Sequence, residues 1–149
     1  MNDQTHLNIS KTVSSTLSAE TFFKNYPNIE IGYTKDFNSY RSFQTTNNFE
    51  NNSFFANLQY DFLKDFIFKA DYSFDSYTNK SSKVKNTFDN ANVSLFYQKE
   101  DSAWGFEINA ANLFDTKYKQ QNSFDSFLIS DSKTFILPRI IMFKVIYKL

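Results

Sequence analysis

The sequence predicts an all-β fold: an antiparallel up-and-down sheet of about seven or eight strands, of the kind that forms a transmembrane β-barrel, and here only part of one. Three observations predict it. Apolar and polar residues alternate with a period of two along most of the chain. The segments between the alternating stretches are by turns short and long. The sequence also closes on an alternating stretch, Ile140 to Leu149, with no polar tail behind it.

That last stretch reads I-I-M-F-K-V-I-Y-K-L. Ile141, Phe143, Val145, Tyr147 and Leu149 share one face of a strand. Met142, Lys144 and Lys148 share the other, with Ile146 as an apolar exception. A soluble domain ends this way when its last strand is held in a sheet, and outer-membrane barrels end this way as well.

Composition fits the same class. Phe occurs 19 times and Tyr 9 times, yet mean hydropathy is −0.51, so the apolar content is concentrated in rings among Asn, Ser, Asp and Lys. Lys plus Arg equals Asp plus Glu at 16 each, which gives no basic excess for nucleic acid. With no Cys there is no disulfide, zinc-thiolate site or thiol nucleophile, and two Gly are too few for a phosphate-cradling loop. No apolar run reaches the roughly 18 residues of a transmembrane helix, which leaves strand-built membrane proteins open because their hydropathy averages out. Met1 to His6 has no basic region followed by an apolar stretch, so it is not a signal peptide. An exported protein needs one, so the chain is expected either not to be exported or to lack its N-terminal part.

In chain order, residues 7–23 carry Leu7, Ile9, Val13, Leu17, Ala19 and Phe23 on one parity, as one long strand or two short ones. Lys24 to Asn28 reads as a turn by its Pro and Asn. Ile29, Ile31 and Tyr33 begin a strand that runs to about Phe37, and the Asn-rich segment 38–53 reads as a long loop. Phe54, Ala56, Leu58, Tyr60 and Phe62 then face one way, Leu63 to Asp65 turns, and Phe66, Phe68, Ala70, Tyr72 and Phe74 continue the apolar face. Residues 78–86 read as a second loop. Ala91, Val93, Leu95 and Tyr97 precede the turn 99–102, and Trp104, Phe106, Ile108 and Ala110 follow it. Residues 114–137 are of mixed polarity, with short strands expected near 127–129 and 134–137.

The expected strands have roughly 9–12 residues, against the about 9–11 that cross a bilayer at a tilt. Phe62, Phe66, Tyr97, Trp104 and Tyr147 fall at the short-turn end of the apolar face, and Phe54 and Phe74 at the other end. Mostly aliphatic residues lie between, the distribution that suits two bilayer interfaces and a hydrocarbon middle. A soluble antiparallel sandwich uses the same alternation. The loop asymmetry, the aromatic ends and the terminal strand favour the membrane reading.

Two stretches carry a family resemblance. Trp104 to Tyr118 reads W-G-F-E-I-N-A-A-N-L-F-D-T-K-Y, and Pro138 to Leu149 reads P-R-I-I-M-F-K-V-I-Y-K-L. Together they resemble the C-terminal end of TonB-dependent outer-membrane receptors, especially of the Bacteroidetes type. Tyr26 to Tyr33 looks like the start of a strand in the same family. The resemblance is specific over 104–149 and diffuse over 7–103.

It implies a bacterial outer-membrane location and a barrel of about 22 strands with an N-terminal plug. The parent receptor would import a siderophore, glycan, peptide or cofactor, driven through TonB by the inner-membrane proton gradient. No plug is present here, and nothing in residues 1–20 resembles a TonB-engaging segment. The chain looks like roughly the last third of such a barrel. The partners implied are outer-membrane lipid, the barrel-assembly machinery and, for the parent, TonB and an external ligand. For Ile141, Phe143, Val145, Tyr147 and Leu149 the resemblance implies two roles: the signal read during barrel assembly, and the strand that closes the cylinder. The family usually ends in Phe, and Leu149 departs from that.

No residue is expected to be catalytic, to bind a cofactor or to hold a metal, and the chain is not expected to be an enzyme. His6 is the only His. Asn112 to Tyr118 is expected to mark a strand exit, where Asn and Asp side chains bond freed backbone groups. Pro138-Arg139 is expected at a strand's first residues. Lys69, Asp71, Asp75, Glu107, Lys144 and Lys148 share the polar face and are expected to pair across strands. Two alternatives remain. One is a complete small eight-stranded outer-membrane barrel, with residues 7–23 supplying two strands. The other is a soluble β domain with an aromatic-lined binding core.

Overall fold

A computed structural model describes residues 9–41, 46–81, 83–124 and 129–148. His6 and Leu149 lie outside them. The described residues form strands β1 (Ile9–Glu20), β2 (Asn28–Arg41), β3 (Thr46–Phe62), β4 (Phe66–Asn79), β5 (Val84–Tyr97), β6 (Trp104–Ala111), β7 (Tyr118–Phe124), β8 (Ile129–Phe135) and β9 (Ile140–Tyr147), with no helix among them. Seven strands form one antiparallel up-and-down sheet in the order β1-β2-β3-β4-β5-β6-β9. The β7–β8 hairpin is inserted between β6 and β9 and forms its own two-stranded sheet. The large sheet is open: β1 and β9 are its two edges. Because neighbouring strands alternate in direction across seven, these two edge strands run the same way.

The register places the apolar positions on one face. Leu17, Tyr33, Phe54 and Phe74 stand side by side, followed by rows through Ile31–Ala56–Tyr72–Ala91 and Ile29–Leu58–Ala70–Val93–Ala110–Ile141. The rows Tyr60–Phe68–Leu95–Ile108–Phe143 and Phe62–Phe66–Tyr97–Phe106–Val145 complete the band. From Phe54 to Phe62 the strand rises about 26 Å at about 3.3 Å per residue. At the about 40° tilt of membrane barrels that spans about 20 Å, close to the ~25 Å height of their apolar bands.

No second layer covers this band. Leu17 is 77% exposed and Phe143 is 65% exposed, and no described side chain is fully buried. The buried apolar residues, Tyr40, Phe49 and Tyr77, lie on the opposite face at the end away from the short turns, and Phe49 packs on Tyr77 at 5.7 Å between ring centroids.

Several boundaries differ from the sequence expectation. Residues 7–23 hold one strand among those described, so the two strands needed for an eight-stranded closed barrel are not there. Most of 38–53 is strand: β2 runs to Arg41 and β3 starts at Thr46. Likewise β4 runs to Asn79 and β5 starts at Val84. The expected alternation of short and long loops is therefore replaced by strands that project beyond the apolar band at one end. The segment 114–137 folds largely as the β7–β8 hairpin, with β8 starting at Ile129; residues 125–128 lie outside the description.

The expected aromatic ends are present. A chain of rings crosses the short-turn end: Tyr60–Phe62 at 5.4 Å, Phe62–Phe66 at 5.3 Å, Phe66–Tyr97 at 4.6 Å and Tyr97–Phe106 at 6.4 Å. Trp104 and Tyr147 close it at 4.7 Å.

Candidate functional site

The polar face is a lattice of cross-strand hydrogen bonds between directly opposed residues. Ser14 donates to Asp36 at 2.5 Å, Thr12 to Asn38 at 2.8 Å, and Asn57 to Glu30 at 2.8 Å. Ser53 donates to Asp75 at 2.7 Å and Asn92 to Asp71 at 2.6 Å. Lys144 pairs with Glu107 at 2.6 Å across β6 and β9. Small donors thus stand opposite acceptors, which is why Asn, Ser and Thr dominate these positions: each pair satisfies itself across one ladder step. Lys69, Asp71, Asp75, Glu107 and Lys144 share this face as expected, while Lys148 follows β9 and donates its backbone N–H to Ala103.

Where β3, β4 and β5 project past the band, the polar face forms the floor of a cleft of about 250 Å³. One row of the floor is Asn51, Tyr77 and Asn86, and the next holds Asp75 and Phe88. Lys119 of β7 forms the roof: its Nζ bonds Asp75 at 2.5 Å and lies 5.1 Å from the Phe88 ring centroid. Asn51 Oδ1 and Asn86 Nδ2 are buried without a protein partner. No His, Cys, Asp or Glu cluster among the described residues could hold a metal.

Asn112 positions the roof. It is 4% exposed and has a left-handed backbone, φ 51°, which Asn tolerates better than most residues. Its Nδ2 donates to the carbonyls of Thr116 (2.9 Å) and Leu137 (2.8 Å), and its Oδ1 accepts from the Thr116 N–H at 2.9 Å. Thr116 Oγ1 then bonds the Asp89 carbonyl at 2.8 Å, and Asp115 accepts from the Arg139 N–H at 3.1 Å. The motif is a strand exit whose side chains bond freed backbone groups, as its sequence suggested. It also ties the start and the end of the inserted hairpin together.

On the apolar face, Ile141, Phe143, Val145 and Tyr147 stand opposite Ala110, Ile108, Phe106 and Trp104. They form one continuous strip along an edge strand; Leu149 lies outside the described residues. Two groupings had no signal in the sequence. Lys119 is 44 residues from Asp75. Glu50, Lys35 and Lys80 meet beyond the band on the apolar side, Glu50 bonding both lysines at 2.8 Å. Hydrogen bonds from Lys35 and then Lys80 hold the Glu50 carboxyl down to about 2.

No family model, curated protein or solved structure is detectably similar to this chain.

Proposed function

We propose that this chain is part of the wall of a larger outer-membrane barrel, the C-terminal portion of a TonB-dependent receptor whose parent imports a siderophore, glycan, peptide or cofactor. The observation that carries this reading is the uncovered apolar band. It crosses every strand of a seven-stranded sheet and ends in rings on the short-turn side, and the opposite face is polar and internally hydrogen-bonded. A soluble sandwich would bury such a face against a second layer.

The edges support a wall and not a whole cylinder. β1 and β9 run in the same direction, so joining them would make a parallel seam. Antiparallel closure needs an odd number of further strands between them. Copies of this chain standing upright in one membrane would also meet β9 to β1 in parallel, so self-association does not supply that closure. In this reading Ile141, Phe143, Val145 and Tyr147 form the strip presented to the assembly machinery and to lipid, and β9 pairs with the first strand of the parent barrel.

The test is expression and purification of the chain with and without detergent. The expected result is detergent-dependent solubility, self-association through the exposed edges, and no large stable conductance in planar bilayers. A monodisperse soluble monomer with dispersed amide signals would overturn the membrane reading. A detergent-solubilised monomer with large stable pores would overturn the partial-wall reading alone.

A further inference from the structure

We infer that the projecting end of the apolar-side surface binds the phosphate groups of an anionic lipid in the adjoining leaflet. This rests on the reading of the apolar band as lipid-facing. Beyond the row Leu17–Tyr33–Phe54–Phe74, the outward positions of β1 to β5 and the residue after β4 include Lys11, Lys35, Arg41, Lys80 and Lys85, with Glu50 as their one carboxylate. The whole chain is balanced at 16 cations and 16 anions. The excess is therefore local, and it has a direction. At the same end, Asp36 and Asp75 take the opposite parity and bond Ser14 and Ser53 on the polar face, while Asp89, of outward parity opposite Phe74 in the boundary row, lies against Thr116 Oγ1 at 3.4 Å. The short-turn end has no such excess, because Lys64 stands next to Asp65 and Lys99 next to Glu100 and Asp101.

The belt is also built for an amphiphile. Lys35 and Lys80 hold their ammonium groups 4.9 and 5.7 Å from the Phe37 ring centroid, and Glu50 fixes both. Lys11, Val13, Phe37 and Lys80 line one open groove of about 290 Å³. The groove sets Val13 and Phe37 beside Lys11 and Lys80, one row, Ser15–Lys35–Asn52, short of Leu17 and Tyr33 at the margin of the band, so a phosphate held there has its acyl chains directed toward Leu17. Glu50 neutralises only one of its two lysines, and Lys11, Arg41 and Lys85 are exposed. Each basic residue near an anionic membrane surface strengthens attachment about fivefold.

The experiment is flotation of the full chain with phosphatidylcholine vesicles, with and without added phosphatidic acid, at low and high salt. Wild type is expected to partition into both and to prefer the phosphatidic acid vesicles at low salt, with the preference screened at high salt. Lys11→Gln/Lys80→Gln/Lys85→Gln is expected to lose roughly fivefold of that preference per lysine and to keep its partition into phosphatidylcholine, which shows that it still folds. Lys64→Gln/Lys99→Gln/Lys148→Gln, which removes the same charge from the short-turn end, is expected to keep the preference. Equal losses in the two variants, or no preference in wild type, would overturn the phosphate site and leave the membrane reading standing. Failure of wild type to enter either vesicle would overturn both.

Discussion

The ring of Phe55 occupies the space where Gly32 would carry a side chain. The two residues face each other across β2 and β3, and an added Cβ at Gly32 would overlap the ring. Gly32 does not have a positive φ, so it is there for room and not for backbone freedom. Phe55 is one of the apolar residues on the polar face, and it covers the gap that glycine leaves in the sheet. Gly32→Ala is expected to cost about 1–3 kcal/mol by overpacking. Gly32→Ala/Phe55→Ala is expected to cost less than the sum of the two single changes. At Gly105 an added Cβ would meet the Phe96 ring at 3.4 Å, a tight contact that a small ring shift relieves, so Gly105→Ala is expected to be the milder change. Urea unfolding in a non-ionic detergent measures all four; equal costs at Gly32 and Gly105 would refute this account.

Asn112 is the fastener of the inserted hairpin. Asn112→Ala removes three side-chain hydrogen bonds and strands the Thr116 and Leu137 carbonyls in a part-buried site. The expected cost is about 3 kcal/mol or more, and it is local. Limited proteolysis should open the segment between Leu113 and Leu137, while amide exchange in β2 to β5 stays near wild type. Asn112→Asp is expected to be no better, because a carboxylate repels the two carbonyls that the amide nitrogen serves.

Glu50 gives the projecting end a pH dependence of known sign. Its folded carboxyl lies at about 2 against an ordinary 4.5, so its ion pairs stabilise the fold fully above 4.5. That contribution is lost as pH falls from 4.5 through 2. Lys35 is raised above its ordinary 10.5 by the same hydrogen bond, so its share persists below that value and is lost as pH rises beyond it. Wild type is expected to be more stable than Glu50→Gln at pH 7, with the difference closing between pH 4.5 and 2. A difference that is constant across that window would show that the carboxylate does not act through these pairs.

What could be read in the sequence follows from what surrounds each strand. Phe54 to Phe74 was legible because one face of the sheet is apolar and the other polar and hydrogen-bonded, which writes a period of two into the residues. Most of residues 38–53 and the ends of 78–86 are strand and not loop, because the strands that project beyond the band bury only isolated rings, Tyr40, Phe49 and Tyr77, on one face and carry polar residues elsewhere. Thr46 to Ser53 pairs in register with β2, and Phe49 to Ser53 also pairs with β4, but Phe49 is its one apolar residue, so no alternation is visible. The aromatic girdle was visible because Phe62, Phe66 and Tyr97 lie next to short turns. The Lys119–Asp75 contact was not, because it depends on how the hairpin folds back, and that is fixed by Asn112 and Thr116. The triad of Glu50, Lys35 and Lys80 was hidden by the same misread segment.

Trp104 tests whether the apolar band crosses a bilayer. It is the single tryptophan, about half exposed, packed at 4.7 Å on Tyr147 at the short-turn margin of the band. Indole rings favour the headgroup boundary, where the ring body is apolar and the N–H is wet. With the chain in vesicles, Trp104 emission is expected to be quenched more by lipids brominated near the glycerol than by lipids brominated at the acyl midpoint. Leu58 lies in mid-band, between Ile29 and Ala70. In Trp104→Phe/Leu58→Trp the order should reverse, with the midpoint quencher acting most strongly. The two positions differ by several rows of the same face, about 10 Å or more along tilted strands, which is within the resolving range of the paired quenchers. Equal quenching at both positions, or none, would mean that the apolar band does not cross a bilayer and is covered by protein instead.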